Sequence, residues 1–373
     1  MSYNSLPYIL LFIFLTLLFL IELRNKNNYT IRNRIRLVVF SVFFVFFGFR
    51  GYVGSDWFNY KISYELTSWD DWLTIDYEPG FAALVKTLKL IGLDYFYVVT
   101  VITAIQLILF DRLVNRYFDS NVLPYIILIS LFPIVVIDLQ RNFISILIVM
   151  NALSYLEKGR KLNFYLAIIL AISFHLSAIV FIILPWLKRV RFKKLTLILL
   201  FNIGFIVYFA QFNFYQGILS WISASIGGPF EELIIQAIRD EEEAYGLSIG
   251  IIEKIFIAYL LIGNYNKLSN VNPLLLNLCV IYLCVYFYFS TSQSFINRFA
   301  NLFMFGYIWY YTIVFKYYSK QIGFSLIAIF MFLFLGIRTY LAYQPSLYYY
   351  KNILFEEEIY LERKYLREQH YDK

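Results

Sequence analysis

LNFYLAIILAISFHLSAIVFIILPWL, residues 162–187, is the stretch whose reading decides how this chain folds. It is apolar apart from Asn163, Ser173, His175 and Ser177. Basic clusters close it on both sides: Lys158, Arg160 and Lys161 before it, and Lys188, Arg189, Arg191, Lys193 and Lys194 after it. A membrane-spanning helix needs about 20 mostly apolar residues, so one crossing fits the length. One crossing would also set the two basic clusters on opposite faces, although Lys and Arg collect on the cytoplasmic side. A hairpin of two short helices keeps both clusters inside and is the preferred reading. Its tip then falls at Phe174-His175-Leu176-Ser177, on the outer side.

The rest of the chain supports a membrane setting. Hydrophobic residues make up 61%, aromatic residues 21% and charged residues 15%, with a mean hydropathy of +0.65. Soluble domains run to about 45–50% apolar and about 25% charged. Apolar runs occur near 5–23, 37–49, 95–110, 121–137, 143–156, 162–187, 195–211, 248–263, 273–290, 295–315 and 322–340. The expected fold is all-α: a polytopic transmembrane bundle of about 11–13 segments, short or re-entrant helices included. It forms one domain over 1–354, followed by a charged C-terminal tail over 355–373. The first run lacks a basic leader and a small-residue cleavage site, so it reads as a retained helix. Cys279 and Cys284 read as small apolar residues, since their spacing suits neither a metal pair nor a redox motif.

Charge orients the runs. The net charge of +7 reports mostly cytoplasmic loops. Arg24, Lys26, Arg32, Arg34 and Arg36 put the loop after the first helix inside, which leaves Arg50 at the outer face. The expected outer loops are 51–94, with Asp56, Glu65, Asp70, Asp71, Asp76 and Glu78, and 212–248, with Glu231, Glu232, Asp240, Glu241, Glu242 and Glu243. The short run 81–93 reads as an amphipathic or re-entrant piece. Asp138 marks another exit to the outer face. Alternation puts the C-terminal tail outside as well.

A few polar residues then ask for a reason. Arg141, between Gln140 and Asn142, reads either as an anion clamp or as an interfacial arginine reaching to headgroups. Arg298 and Arg50 are further anion contacts on the same reasoning. His175 reads as an acid–base group or as a hydrogen-bonded structural histidine. Asp56 and Glu78 are candidate bases, with an ordinary acidic turn as the plain alternative for Asp56 and an orienting partner as the alternative for Glu78. Trp57, Trp69, Trp72, Tyr60 and Tyr77 read as sugar-stacking rings or as an interfacial aromatic belt. Trp57, Tyr60 and Gln140 are the candidate sugar contacts. No zinc-type ligand cluster, phosphate loop or serine elbow is visible, so no metal or cofactor is expected.

Three segments together resemble the EpsG family, a Wzy-type branch of the bacterial polysaccharide polymerases. They are Phe49-Arg50-Gly51 with Val53-Gly54-Ser55-Asp56, Tyr60 and Tyr77-Glu78-Pro79-Gly80-Phe81; Leu139-Gln140-Arg141-Asn142-Phe143; and Phe174-His175-Leu176-Ser177-Ala178. Arg298 matches a later arginine of the family. The order Gln-Arg-Asn departs from an expected Arg-Gln, and the segment from Phe355 to Lys373 has no counterpart. The resemblance implies an enzyme of the bacterial cytoplasmic membrane that joins lipid-linked oligosaccharide repeat units at the outer face, for an O-antigen, capsule or exopolysaccharide. Its donors are undecaprenyl-pyrophosphate-linked sugars; a chain-length regulator and a flippase are implied partners, and nucleic acid is not. A flippase of lipid-linked sugars, or a membrane acyltransferase using His175, is the competing reading.

Overall fold

The computed structural model describes residues 3–67, 77–215, 217, 221, 248–318 and 325–371. Trp69, Asp70, Asp71, Trp72 and Asp76, Lys320, and the acidic residues from Glu231 to Glu243 lie outside the described residues, so what the sequence implies for them stands as an expectation. Among the described residues the chain is helical with no strand, and a single bridge pairs Arg50 with Asn352.

The chain forms two compact units, Met1–Ile182 with Phe315–Lys373, and Ile183–Val314. The first contains α1 (Leu6–Arg24), α2 (Tyr29–Gly48), α3 (Trp57–Leu66), α4 (Pro79–Leu90), α5 (Tyr95–Tyr117), α6 (Leu123–Leu131), α7 (Pro133–Ile137), α8 (Gln140–Glu157) and α9 (Lys161–Phe174). Side chains start two of these helices: Asn28 accepts from the Ile31 amide, and Asp94 from the Tyr97 amide. Each satisfies a donor that the helix leaves open at its N-terminus. The helices α1 and α5 are long and apolar enough to cross a membrane.

Two expected single segments are broken. The run 121–137 divides into α6 and α7 at Phe132-Pro133, because proline has no amide hydrogen to continue the ladder. The run 162–187 leaves α9 at His175, whose φ of −161° and ψ of 126° are extended. It resumes as a 3₁₀ helix at Leu176–Ile183. The expected hairpin tip is therefore a real break in the helix. Against it, α9 packs on α8 and α4.

The charged C-terminal segment is built into the first unit rather than hanging from it as a tail. Residues Tyr360–Tyr371 form a helix, and Arg363 pairs with Glu358, their side chains 2% and 1% exposed. Tyr360 packs against Trp57 and Phe58. Ahead of it, the chain hydrogen-bonds to the segment after α2: Gly51 N donates to Lys351 O at 3.0 Å and Gly54 N to Leu347 O at 2.8 Å. The ion pair balances these two shielded charges, while most of the segment around it stays exposed.

The second unit contains the four-residue helix Leu184–Leu187, called α10, then α11 (Lys194–Ala210), α12 (Ile249–Leu268), α13 (Pro273–Tyr288) and α14 (Gln293–Phe299), with most of α15 (Met304–Tyr318). The helix α13 packs against both α11 and α12. Within α12, Glu253 and Lys254 are buried. Their side chains lie 3.5 Å apart, the Tyr307 hydroxyl donates to Glu253, and the Lys254 ammonium lies 4.2 Å from the Tyr286 ring centre. The apolar run 248–263 hides this pair when it is read as scaffold alone.

Candidate functional site

The site is assembled by three joints in the first unit. The first is the start of α4. Pro79 occupies its first turn, where its missing amide hydrogen leaves no bond unmade. Gly80 lets α4 close on the end of α9: a Cβ there would lie 2.8 Å from Ser173 O and closer still to Ser173 Oγ. Glu78, the residue before the helix, is thereby held beside the break at His175. Gly80→Ala is expected to push α4 outward and cost about 1–3 kcal/mol. A thermal melt of the purified variant checks this, and an unchanged midpoint would show that the close approach is dispensable.

The second joint is the start of α8. There the Arg141 guanidinium donates to Glu78 Oε2 at 2.5 Å and stacks on the Tyr77 ring, 4.3 Å from its centre. The Tyr60 hydroxyl faces the same guanidinium. Burial pushes the Tyr60 phenol up, with Arg141 opposing, so Tyr60 stays a neutral hydroxyl. The Arg141 Nε atom is buried without a hydrogen-bond partner.

The third joint is the break itself. Glu78 Oε1 accepts from the Leu176 amide at 3.0 Å and lies 3.8 Å from His175 Nδ1. His175 Nδ1 also accepts from the Ser177 amide at 3.2 Å. A neutral imidazole whose Nδ1 accepts carries its proton on Nε2. The ring as placed is thus a donor at Nε2. The side chains of Glu78, Arg141 and His175 are 20%, 23% and 26% exposed, so none is sealed in the core.

The remaining sequence candidates take other positions. Arg50 is 3% exposed and donates to Phe47 O, Thr103 Oγ1 and Ile137 O. Its guanidinium ties the ends of α2 and α7 to the middle of α5. Trp57 is 5% exposed and packs on Tyr52, Phe58 and Tyr360. Its ring faces are taken up by protein, because its position at the start of α3 turns the indole inward. Asp56 precedes α3 and accepts from Ser55 Oγ at 3.3 Å. Its charge acts on Tyr60, which connects it to Arg141. Gln140 is buried and lines an apolar crevice with Tyr60, Tyr64, Tyr77 and Phe81. Arg298 is exposed on α14 in the second unit.

The sequence reading names every member of the Glu78–Arg141–His175 cluster but not their pairing. It uses Asp138 only as a marker of the outer face. The structure gives Asp138 two backbone amides to hold, Ser55 N at 2.6 Å and Asp56 N at 3.1 Å. Its signal in the sequence is a lone acid three residues before Arg141 at the end of an apolar run.

A family model described as the EpsG family matches residues 33–352. Neither the curated proteins nor the solved structures include a match to the chain.

Proposed function

From the premise that this chain belongs to the EpsG family, a family of Wzy-like polysaccharide polymerases, we propose that it joins undecaprenyl-pyrophosphate-linked oligosaccharide repeat units at the outer face of the bacterial cytoplasmic membrane. The observation that carries the proposal is the Arg141–Glu78–His175 cluster, held together from three separate motifs. A guanidinium stacked on one tyrosine and faced by another is suited to a phosphate. It is closed here by a carboxylate, which an incoming pyrophosphate would displace.

In this mechanism, Arg141 binds the donor pyrophosphate and releases Glu78. The acceptor hydroxyl oxygen attacks the anomeric carbon, the bond from that carbon to the phosphate oxygen breaks, and the pyrophosphate leaves with the bonding electrons. Arg141 and the His175 Nε2–H stabilise the charge that gathers on the leaving group. The freed Glu78 carboxylate takes the acceptor proton, with Asp56 next in line through Tyr60.

The apolar surface supports the membrane setting. On α1, Leu10 is 58% and Leu17 54% exposed; on α11, Ile206 is 67% exposed. Such faces recur at helical spacing on α9 and on Ser325–Ala342 as well. Contiguous exposed apolar surface on this scale is unfavourable in water. Lipid removes that cost, so the proposal reads these faces as the outside of a multi-pass bundle.

A strain lacking the gene, complemented with each variant, tests the proposal by gel analysis of surface polysaccharide. Loss of polymerase function leaves single repeat units at the surface, whereas loss of a flippase leaves none there. Glu78→Gln keeps an acceptor for Leu176 but loses the base, so polymer formation should fall by roughly 10²–10⁴-fold at normal protein level. Full-length polymer from this variant would remove Glu78 from the chemistry.

A further inference from the structure

We infer that Asp138 is a positioning residue: its carboxylate fixes the Gly54-Ser55-Asp56 turn, and with it α3, so that the Tyr60 hydroxyl meets Arg141. Its role in catalysis rests on the function proposed above; its role in holding the turn does not.

The geometry begins with one oxygen. Asp138 Oδ1 accepts from the amides of Ser55 at 2.6 Å and Asp56 at 3.1 Å. Consecutive amides converge on a single acceptor only when the turn is folded around it. Gly54 makes that approach possible. Its φ is +94°, which favours glycine, and a Cβ there would collide with Asp138 Oδ1. The other oxygen, Oδ2, accepts from the Tyr348 hydroxyl at 3.4 Å. Asp138 thus joins the first loop, the C-terminal segment and the approach to Arg141. The turn it grips ends at Asp56, the residue before α3, and Tyr60 lies one helical turn further along, facing Arg141. Its contact with Asp56 is to the backbone amide, so it acts on the proposed chemistry through the placing of that turn and of Tyr60.

Asp138 lies in the turn between α7 and α8, outside both helices. Asp56, Arg50, Tyr343 and Tyr348 face it from the first loop, the end of α2 and the C-terminal segment. Burial, with Asp56 adding repulsion, pushes its carboxyl up to about 7. A carboxyl raised in the folded state binds its proton more tightly there than in the unfolded chain. Stability is then fully present at acid pH and declines as pH rises through the unfolded value towards about 7. Asp138→Asn keeps an acceptor oxygen and removes that titration.

The test uses the full chain in detergent, with Cys279 and Cys284 replaced by alanine and Ser55→Cys as a reporter. Maleimide labelling of the introduced thiol reads the turn without reference to activity. Loss of the acceptor in Asp138→Ala should raise the labelling rate on the order of tenfold, while Asp138→Asn stays within about twofold of the parent. Equal rates in parent and Asp138→Ala would overturn the positioning claim, whatever becomes of the polymerase reading. In cells, polymer should be lost with Asp138→Ala and rescued by Asp138→Asn. An altered turn with full polymer from Asp138→Ala would overturn the catalytic half alone. Where Asp138→Ala fails to accumulate, the pH arm decides. The melting temperature of the parent should fall from about pH 4 to about pH 7 relative to Asp138→Asn and level off above that; parallel curves would refute the titration.

Discussion

Arg141→Ala is expected to abolish polymer and leave single repeat units on the cell surface. The guanidinium is the only group in the described site placed to take phosphate with two parallel donors. It is pre-oriented by Tyr77 below and Tyr60 beside it. Removing a preorganised donor aimed at developing charge costs on the order of 10²–10³-fold in rate. Arg141→Lys should recover little, since an ammonium neither forks across two oxygens nor stacks flat on Tyr77. The comparison with Glu78→Gln separates binding from chemistry. If Glu78 serves only to hold Arg141, its loss should ease donor binding and spare the rate; if it is the base, polymer should fall even though Arg141 is freed. Polymer at wild-type length from Arg141→Ala, with normal protein level, would falsify the assignment.

The second large effect concerns stability. Glu253→Leu is expected to destabilise the second unit by about 3–5 kcal/mol, because it leaves the Lys254 charge in the interior without its carboxylate. Lys254 would keep its contact with the Tyr286 ring, but a ring face offsets only a fraction of that cost. The Tyr307 hydroxyl would also lose its acceptor. The paired change Glu253→Leu with Lys254→Met should recover most of the loss, since a matched apolar pair replaces a matched ionic one. Thermal unfolding of the parent, Glu253→Leu, Lys254→Met and the double variant in one detergent measures this. Near-additive losses in the double variant would show that the two residues do not depend on each other.

Glu78, Arg141 and His175 stand out because each is a charged or titratable group beside apolar sequence, and such groups need a partner there. Their pairing does not show, since Glu78 precedes α4 and Arg141 sits in the first turn of α8, and a linear string carries no distance. Arg50 and Trp57 show the opposite limit. Both look like ligand contacts by type and setting, yet Arg50 is consumed by three protein acceptors and Trp57 by neighbouring rings. Residue chemistry proposes a function, and only burial tells whether the group is already used. The segment after Phe355 adds a related point: its composition shows its charge but not that Arg363 and Glu358 pair with their side chains shielded.

The sequence by itself determined the helical class, the apolar faces and the break at His175. These follow from features legible along the chain: hydropathy, the length of the apolar runs, and the Lys and Arg clusters that close 162–187 on both sides. The tertiary structure alone decided which polar residues meet. It brought Glu78 between Arg141 and His175, gave Asp138 the turn at Gly54, and closed Glu253 on Lys254 and Tyr307. The reason is that a partner for a buried charge is selected by packing in three dimensions, where residues far apart in the chain become neighbours. Thus the stretch 162–187 could announce a break at His175, but only α4 arriving against Ser173 supplied the carboxylate beside it.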